Sequence, residues 1–482
     1  MAKAKHSLRL MSVMMLMSIA LNGCAESETS DSETTTSTDT QTETSALPDL
    51  YSDLPTGDYG GETFTILNTS FDYAEYRLDA EELNGDNFND AVYNRTRKVE
   101  ELLSVDIEVI NRDYWADNPV TDITNQVMSG DDSTDLCSLG MAKNIPAIAS
   151  GIYLDLNDVD ELNFDKPWWF HSNLKYYEVD GKLYTANSDA SANMHDSLWA
   201  VFFNKDLAAD ANLGDIYKLV KDGDWTLDKM RELIEVSYND IDGDGDMDKD
   251  DQWGLMTHYG SSFGFMHGCN VRGIDIEDGM PIITDVDDRY FDVVDTIKQL
   301  FTADGVMTNN NHQGQFGYTC VDGFSMGKGM FLAEVLGNAS YFRDSNVNFG
   351  IVPYPKYDSE QENYIAYYSP AANGFCIPKT VKDISRAGTV LEVMSAYGYE
   401  MIRPAYYNII LTGRNTRDDE SAEMLDIMFA NTECDMAYLY QWGGYSDKLI
   451  SVMTTSADTV STLTAARPAA EAAIQKYIDS IG

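Results

Sequence analysis

Short runs of alternating or continuous apolar residues are separated by longer segments whose apolar positions recur at helical spacing, and this interleaving continues along most of the chain. Such a rhythm predicts an α/β protein. Glu62-Thr63-Phe64-Thr65-Ile66-Leu67 alternates as a strand and gives way to Asn68-Thr69-Ser70-Phe71, which reads as a polar loop. After Asp90, the residues Ala91, Val92, Val99, Leu102 and Leu103 recur at helical spacing, and Asp106-Ile107-Glu108-Val109-Ile110 reads as a second strand. A strand, a helix and a strand in this order make a right-handed parallel unit. The pattern repeats as a helix around Asp122 to Met128 and a strand over Thr134-Asp135-Leu136-Cys137-Ser138-Leu139. Ligands sit at the carboxyl ends of the strands in such sheets, so the loop from Asn68 to Phe71 is a candidate cleft edge.

From Asp180 to Leu207 the pattern changes. Gly181-Lys182-Leu183-Tyr184 reads as a short extended segment, Ser188 to Ser191 as a flexible polar crossing, and Leu198 to Phe203 as a buried strand rich in aromatic and β-branched residues. Asn204-Lys205-Asp206-Leu207 ends that strand and starts a helix. An apolar pattern that is broken by small polar residues and then resumes predicts the passage from one lobe to another. Further on, Trp225 opens a helix with Thr226 as its N-cap that runs to about Tyr238. Gln252 to Met256 reads as a strand and Val293 to Phe301 as an amphipathic helix.

The chain of 482 residues, 43% hydrophobic and 11% aromatic, is long enough for two or three domains with cores of their own. Its first stretch does not belong to them. Lys3, Lys5 and Arg9 form a basic head, Leu10 to Leu21 an apolar run, and Asn22-Gly23-Cys24 a small-residue end, which is the layout of an export signal over residues 1–23. The run is shorter than the roughly 20 apolar residues that a spanning helix needs. From Ala25 to about Gly60 the chain is rich in Ser, Thr, Asp and Glu without Lys or Arg, a disordered tether that cannot bury enough apolar surface to fold. The net charge of −47 repels phosphate backbones and anionic lipid head groups, which argues against nucleic-acid binding and reads as solubility at a cell surface. Cys137, Cys269, Cys320, Cys376 and Cys434 are scattered without a C-x-x-C spacing, and read as buried apolar residues rather than zinc ligands or a disulfide framework.

The strongest local motif is Asp240-Ile241-Asp242-Gly243-Asp244-Gly245-Asp246-Met247-Asp248-Lys249-Asp250-Asp251. Calcium loops of the EF-hand type need oxygen ligands at positions 1, 3, 5, 7, 9 and 12, a Gly at 6 and an apolar residue at 8. Asp240, Asp242, Asp244, Asp246, Asp248 and Asp251 fill the ligand positions, Gly245 the turn and Met247 the apolar one, with Asp251 shorter than the usual Glu. No second helix follows, so bound Ca2+ would be a structural staple; the alternative is an unliganded acidic loop. Gly323-Phe324-Ser325-Met326-Gly327 matches Gly-x-Ser-x-Gly. A nucleophile elbow needs a helix after its Ser and a His later in the chain. Gly327-Lys328-Gly329 would break that helix and the last His is His312, which excludes a serine hydrolase of that order.

Gly181-Lys182-Leu183-Tyr184, upstream of the aromatic strand closed by Asn204-Lys205-Asp206-Leu207, resembles the inter-lobe crossing of extracellular solute-binding proteins of ABC importers, of the sugar-binding, maltodextrin-binding type. The segments Phe324-Ser325-Met326-Gly327-Lys328-Gly329-Met330-Phe331 and Asn348-Phe349-Gly350-Ile351-Val352-Pro353-Tyr354-Pro355 are similar to two further motifs of that family. Leu21-Asn22-Gly23-Cys24 resembles the lipobox of bacterial lipoproteins, from which Asn22 departs. It implies cleavage before Cys24 and lipidation of that cysteine, with a signal removed elsewhere as the alternative.

The resemblance runs from about residue 60 to the end. It implies an α/β, two-lobed, periplasmic-binding-protein-like (type II) fold with an inter-lobe cleft and multiple crossings. Behind the signal and the tether of residues 24–60, lobe 1 would hold residues 61–190 and 368–408, and lobe 2 residues 191–367 and 409–482. Met141 to Asn144 would lie on the cleft rim, and Tyr364 to Pro378 would cross back. Ile384 to Tyr399 would form a helix on the first lobe, Arg403 to Tyr407 would cross once more, and Glu420 to Phe429 would start the last helices on the second lobe.

The function implied is capture of an extracellular carbohydrate, an oligosaccharide, by lobe closure and its delivery to a membrane permease. The protein would be a monomer without catalytic activity, held by lipid at the outer face of the bacterial cytoplasmic membrane. Aromatic faces cover pyranose rings while polar side chains bond the hydroxyls. The candidate ligand-binding residues are Trp168, Trp169, Asp196, Trp199, Glu334, Arg343, Tyr368 and Asn373. Adjacent Trp168 and Trp169 cannot both face one core from a strand, so one would be available to stack on a sugar; the alternative is a surface loop stapled to its own lobe by Trp. Binding of a peptide or other solute on the same fold, a lipid-anchored glycosidase using two carboxylates, and a surface adhesin stay open as alternatives.

Overall fold

Strands form where the sequence alternates or runs apolar. In chain order they are β1 (Glu62–Ser70), β2 (Val105–Asp113), β3 (Leu136–Gly140), β4 (Glu178–Val179), β5 (Lys182–Leu183), β6 (Trp199–Asn204), β7 (Trp253–Thr257), β8 (Ile274–Glu277), β9 (Met280–Ile283), β10 (Val306–Thr308), β11 (Gly329–Val335), β12 (Phe349–Val352), β13 (Ala366–Tyr367), β14 (Asn373–Cys376) and β15 (Thr432–Glu433). This computed structural model describes residues 50–70, 78–342, 345, 347–411 and 419–481. The signal, Cys24, most of the tether and Arg343 lie outside the described residues. No helix among the described residues is long and apolar enough to cross a membrane.

Two sheets organise the fold. The first has the order β14-β3-β1-β2, with β1, β2 and β3 parallel and β14 antiparallel to β3. The second has the order β10-β7-β11-β6-β12, in which β10, β7 and β11 are parallel and β6 runs against both β11 and β12. Between β1 and β2 lies the predicted helix, Asn87–Leu103, started by Asp86, whose side chain accepts the N–H groups of Phe88 and Asn89. Its face of Phe88, Val92, Val99 and Leu103 is buried. Asn204 likewise caps the helix Lys205–Asp210, and Thr226 caps Leu227–Glu235.

The structure departs from the sequence expectations at four places. β1 continues through Asn68, Thr69 and Ser70, where a loop was expected, because Asn68 and Thr69 are buried, Ser70 is half-buried and their side chains are bonded: the Asn68 amide donates to Asn111 Oδ1 at 2.8 Å and the Ser70 hydroxyl to the Arg112 carbonyl at 3.3 Å. The chain joins the folded unit at Asp53, earlier than the expected tether end at residue 60. Asp53 pairs with Lys166, and the Tyr59 N–H donates to the Leu103 carbonyl at 2.9 Å. Residues 188–191 are a buried crossing, not a flexible one. Arg95, itself fully buried, donates to the Ala190 carbonyl at 2.5 Å and to that of Leu78 at 2.6 Å, and Ser395 donates to Ser188 at 2.7 Å.

The fourth departure is Arg403-Pro404-Ala405-Tyr406-Tyr407, expected to cross between lobes. It lies inside the helix Ile384–Leu411, which packs along Asn87–Leu103. Apolar Ile402, Tyr406 and Ile410 keep helical spacing and are buried, and that burial carries the helix past Pro404. Gly398 lets this helix touch the crossing, since a Cβ there would stand 1.8 Å from the Asp189 carbonyl oxygen. Residues 412–418, which lead to the next helix, Asp419–Ala430, lie outside the described residues. β13, on the return path, pairs in parallel with β15, so two connecting segments are joined to each other. The five described cysteines are free and buried.

Candidate ligand-binding cleft

The carboxyl ends of strands in both sheets feed one cavity of about 650 Å³. Tyr114 and Trp115 enter it after β2, Ala142 after β3, His258 after β7, Asn309 after β10, and Glu334 and Val335 from the end of β11. Trp199 at the start of β6 and Ser369, Pro370 and Ala371 ahead of β14 complete much of the wall. Trp115 is 71% exposed, which packing does not explain. It is nevertheless fixed. Asp113 accepts the N–H groups of Trp115 at 2.8 Å and Ala116 at 2.5 Å, and the Tyr114 ring meets the indole edge-on at 4.8 Å. Trp199, by contrast, is buried, with its ring 5.2 Å from that of His258 and stacked at 6.4 Å on Tyr367 of β13.

Two carboxylates face this space, both already held. Glu334 meets His258 Nε2 at 3.1 Å through one oxygen, and the other accepts the Val335 N–H at 2.9 Å and the Asn338 amide at 3.2 Å. Asp322 accepts the N–H and hydroxyl of Thr319 at 2.9 and 2.8 Å and the phenol of Tyr341 at 2.8 Å. Burial works to raise the pKa of Asp322, but these donors outweigh it and hold the group below the ordinary carboxylate value. The helix Cys320–Ser325 that carries Asp322 also ends at Ser325, whose hydroxyl donates to the Asp322 carbonyl. Ser325 therefore stands at a helix end and not on an elbow.

Of the expected ligand residues, the structure brings Trp199 and Glu334 to the cavity and places the other described ones elsewhere. Trp168 ends a turn and Trp169 makes an isolated bridge to Ser188, so the two do not share a strand and their side chains can point the same way. Both are buried and both indole N–H groups donate to Glu392, at 3.0 and 3.1 Å. Tyr368 is buried in the return crossing, edge-on to Phe170 at 6.0 Å. Asn373 closes the first sheet, its amide donating to the Thr69 carbonyl at 2.8 Å and to Asn68 Oδ1 at 3.2 Å. Asp196 is buried behind the turn at Gly337, whose N–H donates to its carbonyl at 3.0 Å. Arg343 lies outside the described residues. Trp115, Asp322 and Tyr341 were not anticipated. The sequence signal for Tyr114 and Trp115 is their place directly after the carboxyl end of the second strand.

In the acidic loop, carboxylate oxygens of Asp240, Asp242 and Asp244 lie within 4.8 Å of one another. Gly245, with φ +93°, supplies the turn, and Asp240 accepts the N–H groups of Gly245 at 2.9 Å and Gly243 at 2.7 Å. Asp242 accepts the Asp244 N–H, yet burial and the charges of Asp244, Asp240 and Asp251 push its pKa up. A cation would relieve that repulsion, and an all-oxygen donor set suits Ca2+. Asp251 is buried and clasps the loop, accepting the N–H groups of Ile241 at 2.8 Å and Asp248 at 2.7 Å.

Two sheets, buried crossings and a cleft fed by strand ends from both sides define a two-lobed, periplasmic-binding-protein-like fold. Among solved structures the chain is similar to a sugar transporter from Rhizobium etli in an open conformation, with TM-score 0.56, 14% identity, and 86% of this chain and 98% of that one covered. It is also similar to an ABC substrate-binding protein from Listeria monocytogenes in complex with cycloalternan, with TM-score 0.53, 14% identity, and 87% and 99% covered. A third is the maltose/maltodextrin-binding domain MalE from Bdellovibrio bacteriovorus bound to maltotriose, with TM-score 0.51, 17% identity, and 86% and 100% covered. At these identities the likeness is one of fold. No protein-family model matches the chain, and no curated protein matches it.

Proposed function

We propose that the chain is the substrate-binding component of an ABC importer, which captures an extracellular oligosaccharide by lobe closure and delivers it to a membrane permease. The observation that carries this reading is the rigidly held, exposed Trp115 beside a cavity whose remaining walls offer fixed polar groups. Such a pairing suits a pyranose ring, which has an apolar face and a rim of hydroxyls. The cavity volume falls within the roughly 300–1,000 Å³ typical of small-molecule sites. Its walls come from both lobes, so a ligand touching both favours the closed form. The similar structures that hold cycloalternan and maltotriose support the carbohydrate assignment. Both carboxylates that face the cavity are fixed by donors of the protein itself, and the similar solved structures are named as binding proteins, which favours binding over hydrolysis. We therefore read the chain as a binding protein and not an enzyme.

In the same reading Cys24 is the lipidated first residue of the mature chain, and the acidic segment after it tethers a monomer to the outer face of the membrane. Asp240, Asp242 and Asp244, with Asp246, Asp248 and Asp251, are the residues that would hold Ca2+, whose contribution would be structural. Calcium at about 100 times its dissociation constant should stabilise the full-length chain by about 2.7 kcal/mol. Chelation should reverse the rise in melting temperature, and Asp240→Asn should abolish it. A melting temperature indifferent to calcium in the unaltered chain would leave an unliganded loop.

The test of function is the melting temperature of the full-length chain against mono- and oligosaccharides and short peptides. A glycan at about 100 times its dissociation constant should add about 2.7 kcal/mol. A shift with peptides alone would keep the fold and sink the carbohydrate assignment. For any glycan that binds, Trp115→Ala should weaken affinity by about tenfold, the scale of one lost aromatic platform, while the unliganded melting temperature stays put because the ring is exposed. Calorimetric titration of the two proteins reads this directly.

A further inference from the structure

We propose that the cleft sorts glycans by charge, accepting neutral ones and turning away those bearing carboxylate, sulfate or phosphate, with Asp322 and Glu334 as the specificity-determining residues. The proposal rests on the carbohydrate reading above and names which part of that class fits.

Two observations carry it independently. The first is the charge of the wall: among the described residues that line the cavity are two carboxylates, His258, and no Lys or Arg. The partners of Asp322 are an N–H, a hydroxyl and a phenol, none of which carries positive charge. The ammonium of the exposed Lys143 donates to the Tyr114 carbonyl and lies 4.2 Å from the Tyr114 ring centroid and 5.8 Å from that of Trp115, so this cation is held at the aromatic wall of the cleft, on the side of the first sheet, while the two carboxylates stand on that of the second. Like charges about 6 Å apart at an effective dielectric of about 20 repel by roughly a hundredfold in affinity.

The second observation is the direction of the hydrogen bonds. The oxygens of Asp322 and Glu334 each already accept from the protein, which fixes the two groups in place. An ionised carboxylate has only acceptor capacity left, so the ligand atom beside it must donate. A sugar hydroxyl donates; a carboxylate, sulfate or phosphate oxygen does not. A site whose polar groups would be left unmatched discriminates strongly against the wrong ligand. The burial-opposing donors that keep Asp322 ionised add to the effect.

The experiment pairs each neutral oligosaccharide that binds the full-length chain with its counterpart oxidised at the primary hydroxyl to a uronate. Affinities are measured by calorimetry at about 20 mM and about 300 mM salt, in the unaltered protein and in Asp322→Asn and Glu334→Gln. The expected result is at least tenfold preference for the neutral member at low salt. That gap should narrow at high salt and in either variant, since repulsion is screened while a merely lost contact is not. Equal or tighter binding of the uronate would overturn the proposal, as would a gap that neither salt nor either substitution narrows. Should one variant fail to fold, the other and the salt series still decide. Absence of binding by any glycan, neutral or acidic, would sink the carbohydrate reading itself and this proposal with it, an outcome distinct from a reversed preference.

Discussion

Asp189→Ala should lower the stability of the protein by about 3–5 kcal/mol, the largest effect expected of any single substitution on the crossing. Asp189 is 1% exposed and lies where the chain first passes from one sheet toward the other. It accepts from Arg403 Nε at 3.1 Å and Nη2 at 2.6 Å, and meets His195 Nε2 at 3.0 Å. Burial lowers the pKa of His195, against the opposing pull of Asp189, so the imidazole is held toward its neutral form and donates to the carboxylate. Removing the aspartate leaves the imidazole without its acceptor, since His195 has no second partner for Nδ1, and leaves the guanidinium with the longer bond to the Pro167 carbonyl at 3.4 Å. Chemical denaturation of the two proteins measures the difference. A loss below about 1 kcal/mol would mean that Arg403 finds solvent instead, as a surface pair would.

Glu392 should make the protein less stable as pH rises from 4.5 to about 7. Burial pushes this carboxyl up to about 7, outweighing the Asn163 N–H, the two indole donors and the charge of Lys166. The folded state thus holds a proton that the unfolded chain has released. The contribution is complete below the unfolded value of 4.5 and is lost as pH passes the folded value of about 7. A shift of this size corresponds to about 3 kcal/mol across the window. Glu392→Gln should remove the slope, while costing about 1–3 kcal/mol at every pH because its amide nitrogen cannot accept an indole N–H. Unfolding free energies of both proteins across that window decide the matter: parallel curves would mean that Glu392 is ionised throughout.

Much of the scaffold could be read along the chain. The alternation of Glu62 to Leu67, the helical spacing from Ala91 to Leu103 and the caps at Asn204 and Thr226 are local signals, because side-chain period and cap chemistry depend on a few neighbouring residues. The turn of the acidic loop was legible for the same reason: its Asp residues are neighbours in sequence, and Gly245 takes a positive φ as the pattern requires. The lining of the candidate cleft was not. Trp168 and Trp169 drew attention by composition, yet a carboxylate on Glu392, distant in sequence, takes both of their N–H groups. Tyr368 and Asn373 met the same fate in the core of the crossing and the first sheet.

Local pattern therefore determined which segments are strands and helices, the class of fold, and the position of the oxygen-rich loop. Packing alone settled that Pro404 lies within a helix, that residues 188–191 are buried, and that Trp115, Asp322, Glu334 and Trp199 meet around one space. The physical reason is separation along the chain. Secondary structure is written in residues a few positions apart, whereas a cleft is assembled from strand ends far apart in sequence, and which of many Trp, Asp and Glu side chains stay open there depends on partners that only folding brings near.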